Sequence, residues 1–171
     1  MIDITISSLP PDEIFWLESE YILKSNKSIS IPVINNGPDI DSWEVYPELP
    51  SGLTLNDNGS ISGIPDSRTN WGEYTIWANN TGGSVGLNIW IVVHDLRADQ
   101  NDLLRGMSEA DFGGWPSPIL PIGEWSFPVA FESSGIPVVS ASHVGKGKIL
   151  GYGHESWVDS QDHPFSLRAV E

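Results

Sequence analysis

From Ile2 to Val93 the chain is a series of short runs in which apolar and polar residues alternate, separated by turn-forming residues. Ile29, Ile31 and Val33 alternate with Ser28, Ser30 and Pro32, and the run stops at Asn35-Asn36-Gly37-Pro38. Trp43 and Val45 alternate with Ser42 and Glu44; Leu53 and Leu55 flank Thr54; Ile61 and Ile64 follow the turn Asn56-Asp57-Asn58-Gly59. Tyr74, Ile76 and Ala78 alternate with Thr75 and Trp77 until Asn79-Asn80-Thr81-Gly82-Gly83, and Leu87, Ile89, Ile91 and Val93 form the longest such stretch. Side chains two apart lie on one face of a strand, so each run buries one side and wets the other. Six or seven strands of this kind, punctuated by regular turns, predict an immunoglobulin-like β-sandwich.

The texture changes after His94. Asp95 is placed to cap a short helix on which Leu96, Leu103, Leu104 and Met107 share a face. The stretch Gly113-Gly114-Trp115-Pro116-Ser117-Pro118 breaks the chain, and strands are expected at Pro128 to Phe131, Pro137 to His143 and Lys148 to Tyr152. Gly145-Lys146-Gly147 reads as the hairpin turn between the last two; it is too short for a phosphate-binding loop. The expected organisation is therefore mainly β: residues 1–94 as the sandwich and residues 95–171 as a small α+β domain or the truncated start of a larger one.

Composition narrows the function classes. A formal charge of −15, from 23 acidic and eight basic residues, disfavours nucleic acid and anionic membrane surfaces, because a binder of either must neutralise phosphates. There is no cysteine, which removes disulfides, thiolate metal sites and thiol nucleophiles. No apolar run reaches the ~18 residues of a membrane span, and no signal-peptide pattern opens the chain. Acidity of this size suits a saline exterior, where ions screen self-repulsion.

The segment Leu49 to Pro65, LPSGLTLNDNGSISGIP, carries the most specific motif. With Gly72, Tyr74 and Ile76 it resembles the dystroglycan-type cadherin-like repeat of prokaryotic surface proteins, an immunoglobulin-like family. In that pattern Pro50 and Gly52 bend the chain, Leu53 and Leu55 point inward, and Gly59 supplies the positive φ of a tight turn. The resemblance implies a spacer or adhesion module, which points to an extracellular or cell-surface location. The segment Phe127 to Val158, FPVAFESSGIPVVSASHVGKGKILGYGHESWV, resembles the opening of the amidotransferase-like domain of channel-associated-factor proteins and enhancin-type surface metallopeptidases. The shared positions are Phe127, Pro128 and Val129; Gly135, Pro137 and Val138; Gly145, Lys146 and Gly147; and Gly153, His154 and Glu155. Val144 and Lys148 stand where that family has an aromatic residue and an arginine.

Candidate ligand-binding residues follow from these readings. Asp39, Asp41, Asp57 and Asp66 are candidate calcium ligands, but "NDNGS" lacks the carboxylate offsets of a calcium loop, and turn formation explains the same residues. Trp77 and Trp90 are out of phase with the inward-facing set and so are candidates for stacking on sugars, or for covering the outer sheet face. His154 and Glu155 are candidate ligands that fail the HExxH pattern because Val158 occupies the fifth position. Ser140, Ser142 or Ser156 with His143 or His154 suggests a hydrolase pair, yet no G-x-S-x-G elbow supports it. The chain is thus expected to be a non-catalytic spacer or adhesion module of a larger protein, with neighbouring domains, surface proteins or glycans as partners. The alternatives are an accessory part of a surface hydrolase whose catalytic domain lies elsewhere, and a carbohydrate-binding module.

Overall fold

The structure, a computed structural model, describes residues 9–105, 117–132 and 134–153. It divides into two compact units, Met1–Asp95 and Leu96–Glu171.

The first unit is a sandwich of two main sheets. One has four strands in the order β2 (Glu20–Lys24), β9 (Gly83–His94), β8 (Gly72–Asn80) and β5 (Ser42–Tyr46). The other has three, β3 (Ile29–Ile31), β7 (Ile61–Gly63) and β6 (Leu53–Leu55). A two-stranded ribbon, β1 (Ile14–Trp16) with β4 (Val33–Asn35), completes the unit. The pairings are antiparallel except β2 with β9, which run parallel from Glu20↔Trp90 to Lys24↔His94.

Period-two patterning decides which way each strand faces. Tyr74 and Ile76 of β8 and Ile89, Ile91 and Val93 of β9 are buried and meet Leu23 of β2, Ile31 of β3 and Ile61 of β7 in one core, and Ala78 of β8 is buried in the same phase. Leu53 and Leu55 are half-buried and pack against the same cluster. Glu73 and Trp77 of β8 and Asn88 and Trp90 of β9, which alternate with the inward set, face outward and are exposed, whereas Val92, in the same phase, is buried. Burial of roughly 1.5–3 kcal/mol per large aliphatic side chain makes this two-sheet core the main source of the unit's stability.

Two glycines hold the tight corners. Gly52, at φ +86°, sits where a Cβ would collide with the carbonyl oxygen of Ile64, because Gly52 O accepts the Ile64 amide at 2.9 Å. Gly59, at φ +79°, lies against the Trp43 ring in the β6–β7 turn. Both positions exclude a side chain by conformation and by space.

The sequence expectation of six or seven strands was short of what the first unit contains. β1 and β2, from IFW and EYILK, lack a clean alternation and escape a period-two reading.

In the second unit, β10 (Ser126–Phe131), β11 (Pro137–Val144) and β12 (Gly147–Tyr152) form an antiparallel sheet. Helix α1 (Leu96–Leu104) lays Leu96, Leu103 and Leu104 against a core of Phe127, Val129, Ala130, Val139 and Ala141. β11 and β12 pair from Val139↔Tyr152 to Val144↔Gly147, which leaves Gly145 and Lys146 as a two-residue hairpin turn. Met107, expected on the helix face, and the closing segment from 162 to 171 lie outside the described residues.

Candidate functional site

The second unit buries a histidine–aspartate pair between its helix and its sheet. Period 3.6 puts Asp99 of α1 on the side that faces the sheet with Leu96 and Leu103, and period two puts His143 of β11 on the same face as Val139 and Ala141. The side chains meet there, with His143 Nε2 2.8 Å from Asp99 Oδ2. Only 5% of His143 and 7% of Asp99 are exposed. Lys148 of β12, across from His143 in the ladder, brings its ammonium to 3.7 Å from Asp99 Oδ1. The Phe127 ring lies 6.1 Å from the imidazole, tilted by 36°. Gln100 Nε2 donates to the Pro128 carbonyl at 2.7 Å, so a second hydrogen bond ties the helix to β10.

A cleft of about 400 Å³ opens over this pair, with Asp99, Leu103, Phe127 and His143 in its floor and walls and Lys146 and Lys148 among its lining residues. Burying a carboxylate is costly unless it is paired and hydrogen-bonded, and here the imidazole and the ammonium both face it.

The arrangement has a base and an acid beside it, and among the described residues neither serine of β11 is placed as its nucleophile. Ser140 and Ser142 alternate with Ala141 and His143 along β11 and point to the opposite face of the sheet. Ser140 Oγ donates to the Ile119 carbonyl at 2.6 Å. Ser142 Oγ lies 3.1 Å from Ser126 Oγ and 3.3 Å from the carbonyl oxygen of His143. Asp99 engages Nε2 of the imidazole. Sequence reasoning singled out His143 but missed Asp99, because an Asp in a first helical turn is ordinarily a solvated residue complementing the helix dipole. The available signal was the placement of Asp99 three residues after Leu96 and four before Leu103, on the apolar stripe.

The candidates read from the sequence fall elsewhere. Trp77 and Trp90 both lie on the outer face of the four-stranded sheet, 42% and 38% exposed. His154 and Glu155 lie outside the described residues. The four aspartates occupy three separate loops. Asp39 and Asp41 precede β5 beside the β8–β9 hairpin, where Asp41 Oδ2 accepts the Thr81 amide at 3.1 Å and the Asp39 carbonyl accepts Asn80 Nδ2 at 3.2 Å. Asp57 lies in the β6–β7 turn. Asp66 follows β7 and accepts the Ser51 hydroxyl at 2.8 Å; that bond and a second from Ser67 hold its carboxyl below the usual value. Among the described residues, none of these four belongs to a cluster of three or more metal-ligating side chains.

Comparison with known proteins gives a family match and a set of relatives. Residues 76–171, more than half of the chain, match the family model described as "TRPM8, N-terminal domain" (TCAF_N). TRPM8 channel-associated factor 2 of Bos taurus is 38% identical over 79 residues, covering 44% of this chain and 9% of the relative. TRPM8 channel-associated factor 3 of Rattus norvegicus is 36% identical over 88 residues, covering 49% and 10%. The chain thus spans about a tenth of the length of these curated relatives. Among solved structures, titin domains I67–I69 align at a TM-score of 0.37 and 20% identity, covering 52% of this chain and 34% of that one. A SusE-like surface-located polysaccharide-binding protein from Bacteroides thetaiotaomicron aligns at 0.39 and 20%, covering 50% and 15%. The sandwich assignment stands on this chain's own strand pairing and core.

The expected extracellular or cell-surface location is overturned by these matches. The relatives are named as factors associated with a channel, not as exported or surface-displayed proteins. The features behind that expectation do not depend on compartment, since an alternating sandwich without cysteine buries its apolar faces equally well in any aqueous medium.

Proposed function

The chain belongs to the TRPM8 channel-associated factor N-terminal family, and from that membership we propose that it is a non-catalytic, protein-associating part of a larger channel-associated factor. The partner proposed is a channel of the TRPM8 kind, after the printed names of the relatives. The adhesion and surface-hydrolase readings lose their basis with the surface location.

One observation carries the non-catalytic half of this reading. The most chemically suggestive group in the second unit, Asp99 with His143, is buried between α1 and the sheet, and Ser140 and Ser142 of β11 point to the other face. A catalytic base must come within hydrogen-bond reach of the proton it removes, and only 5% of His143 is exposed. The acidic balance of the chain supports protein over nucleic acid as partner.

The test is capture. The chain, immobilised through a terminal tag, is exposed to detergent-solubilised TRPM8 channel at physiological salt. Retention of the channel, reversed by excess soluble chain, is the expected result. Passage of the channel unretarded over folded, correctly melting chain overturns the proposal.

A further inference from the structure

The outer face of the four-stranded sheet carries an alternation of indole rings and carboxylates that no role described so far uses. The strand register fixes it. Trp90 of β9 stands between Glu20 of β2 and Glu73 of β8, and Trp77 of β8 stands between Glu44 of β5 and Gly86 of β9. All three glutamates are exposed, and so are both indoles. Gly86 gives the Trp77 ring room to lie down on the sheet: a Cβ at that position would stand 3.2 Å from two of the ring carbons. Between the two indoles the surface is ordered by its own hydrogen bonds, Thr75 Oγ1 to Asn88 Oδ1 at 3.0 Å and Asn88 Nδ2 to Glu73 Oε1 at 3.2 Å. This is a prepared surface in the sense that its central polar groups already hold one another in place.

We infer that this face binds an extended, arginine-bearing segment of another protein. Guanidinium groups stack on indole faces while donating to neighbouring carboxylates, and the register supplies that combination twice. Arginine suits it better than lysine, because a planar fork can lie on the ring and reach a carboxylate at its edge, while an ammonium acts as a point charge. The spacing selects the shape of the segment. Trp90 and the Gly86 that Trp77 overlies are four residues apart along β9, a distance of about 13 Å. An extended strand places side chains i and i+4 at the same separation and on the same side. A net charge of −15 adds a long-range field that steers a cationic segment to the face. A neutral sugar would use the indoles but would gain nothing from the negative charge of the three flanking carboxylates.

This inference concerns the first unit alone and stands or falls separately from the channel association proposed above. It is tested by calorimetric titration of the chain with a short synthetic peptide, β-prone and bearing arginines four residues apart. The peptide should bind saturably, and binding should weaken as salt is raised. Replacing both arginines with glutamine should abolish it. Trp77→Ala and Trp90→Ala should each weaken it about three- to tenfold. Glu73→Gln, an isosteric change on the surface, should weaken it as well while leaving the melting temperature in place, which separates lost binding from lost folding. Equal affinity for the arginine and glutamine peptides would overturn the inference. So would indifference to both tryptophan substitutions, or the finding that the face binds a neutral oligosaccharide through Trp77 and Trp90 and ignores the peptide.

Discussion

At the scale of single residues, Asp99 and His143 show how a polar group can be both chemically suggestive and structurally committed. Each is buried, and each is a hydrogen-bond partner of the other at 2.8 Å, so removing one takes a buried partner from the other. Asp99→Ala should cost about 2–3 kcal/mol in urea denaturation, and Asp99→Asn, which can still accept a hydrogen bond, should cost less. Equal losses for the two substitutions would mean that the charge on Asp99 is what matters. Tyrosine burial provides a second test. Tyr74 is 7% exposed, and burial lifts its phenol above the ordinary 10.0, as it also does for Tyr21 and Tyr152. The unfolded chain ionises these phenols near pH 10, before the folded one can. Stability that is intact below that pH should therefore fall as pH rises through it toward the folded values. Melting temperatures recorded from about pH 8 to 11 should decline, and Tyr74→Phe should make the decline shallower.

At the scale of elements, the sequence was most legible where a strict period meets a clear stop. β8 and β9 follow the alternation of Tyr74, Ile76 and Ala78 and of Ile89, Ile91 and Val93, and the Asn80 side chain closes their hairpin by accepting the amides of Gly82 and Gly83 at 2.8 and 3.2 Å. β10, β11 and β12 were legible for the same reason, to within two residues at each end. The parallel β2 and the short β1 were not, because EYILK and IFW are apolar in succession and a period-two reading has nothing to count. The Asp99–His143 pair was illegible for a different reason: it joins a helix to a strand 44 residues away, and only tertiary packing selects that partner. The corner at Gly52 gives the element-scale prediction. Gly52→Ala must leave the left-handed region or push the Ile64 carbonyl aside, and either response disturbs both β6 and β7. A loss of at least ~1 kcal/mol in chemical denaturation is expected, greater than the effect of the same change at an open position.

At the scale of the whole molecule, charge and family membership carry the account. With 23 acidic residues against eight basic ones, the folded chain repels itself, and screening should relieve that strain. Raising salt from about 20 to about 500 mM should raise the melting temperature by a few degrees, with calorimetry as the check. Calcium should add nothing beyond its ionic strength, because Asp41 and Asp66 already serve as hydrogen-bond acceptors in different turns; a specific rise reversed by chelator would contradict this.

The central claim is association without catalysis. Its most direct test compares channel capture by the native chain and by His143→Gln, at a temperature where circular dichroism shows both folded. Equal retention of an unaltered channel is the predicted result. Retention by neither chain, or a covalent change in the channel that the native chain produces and His143→Gln does not, would contradict it.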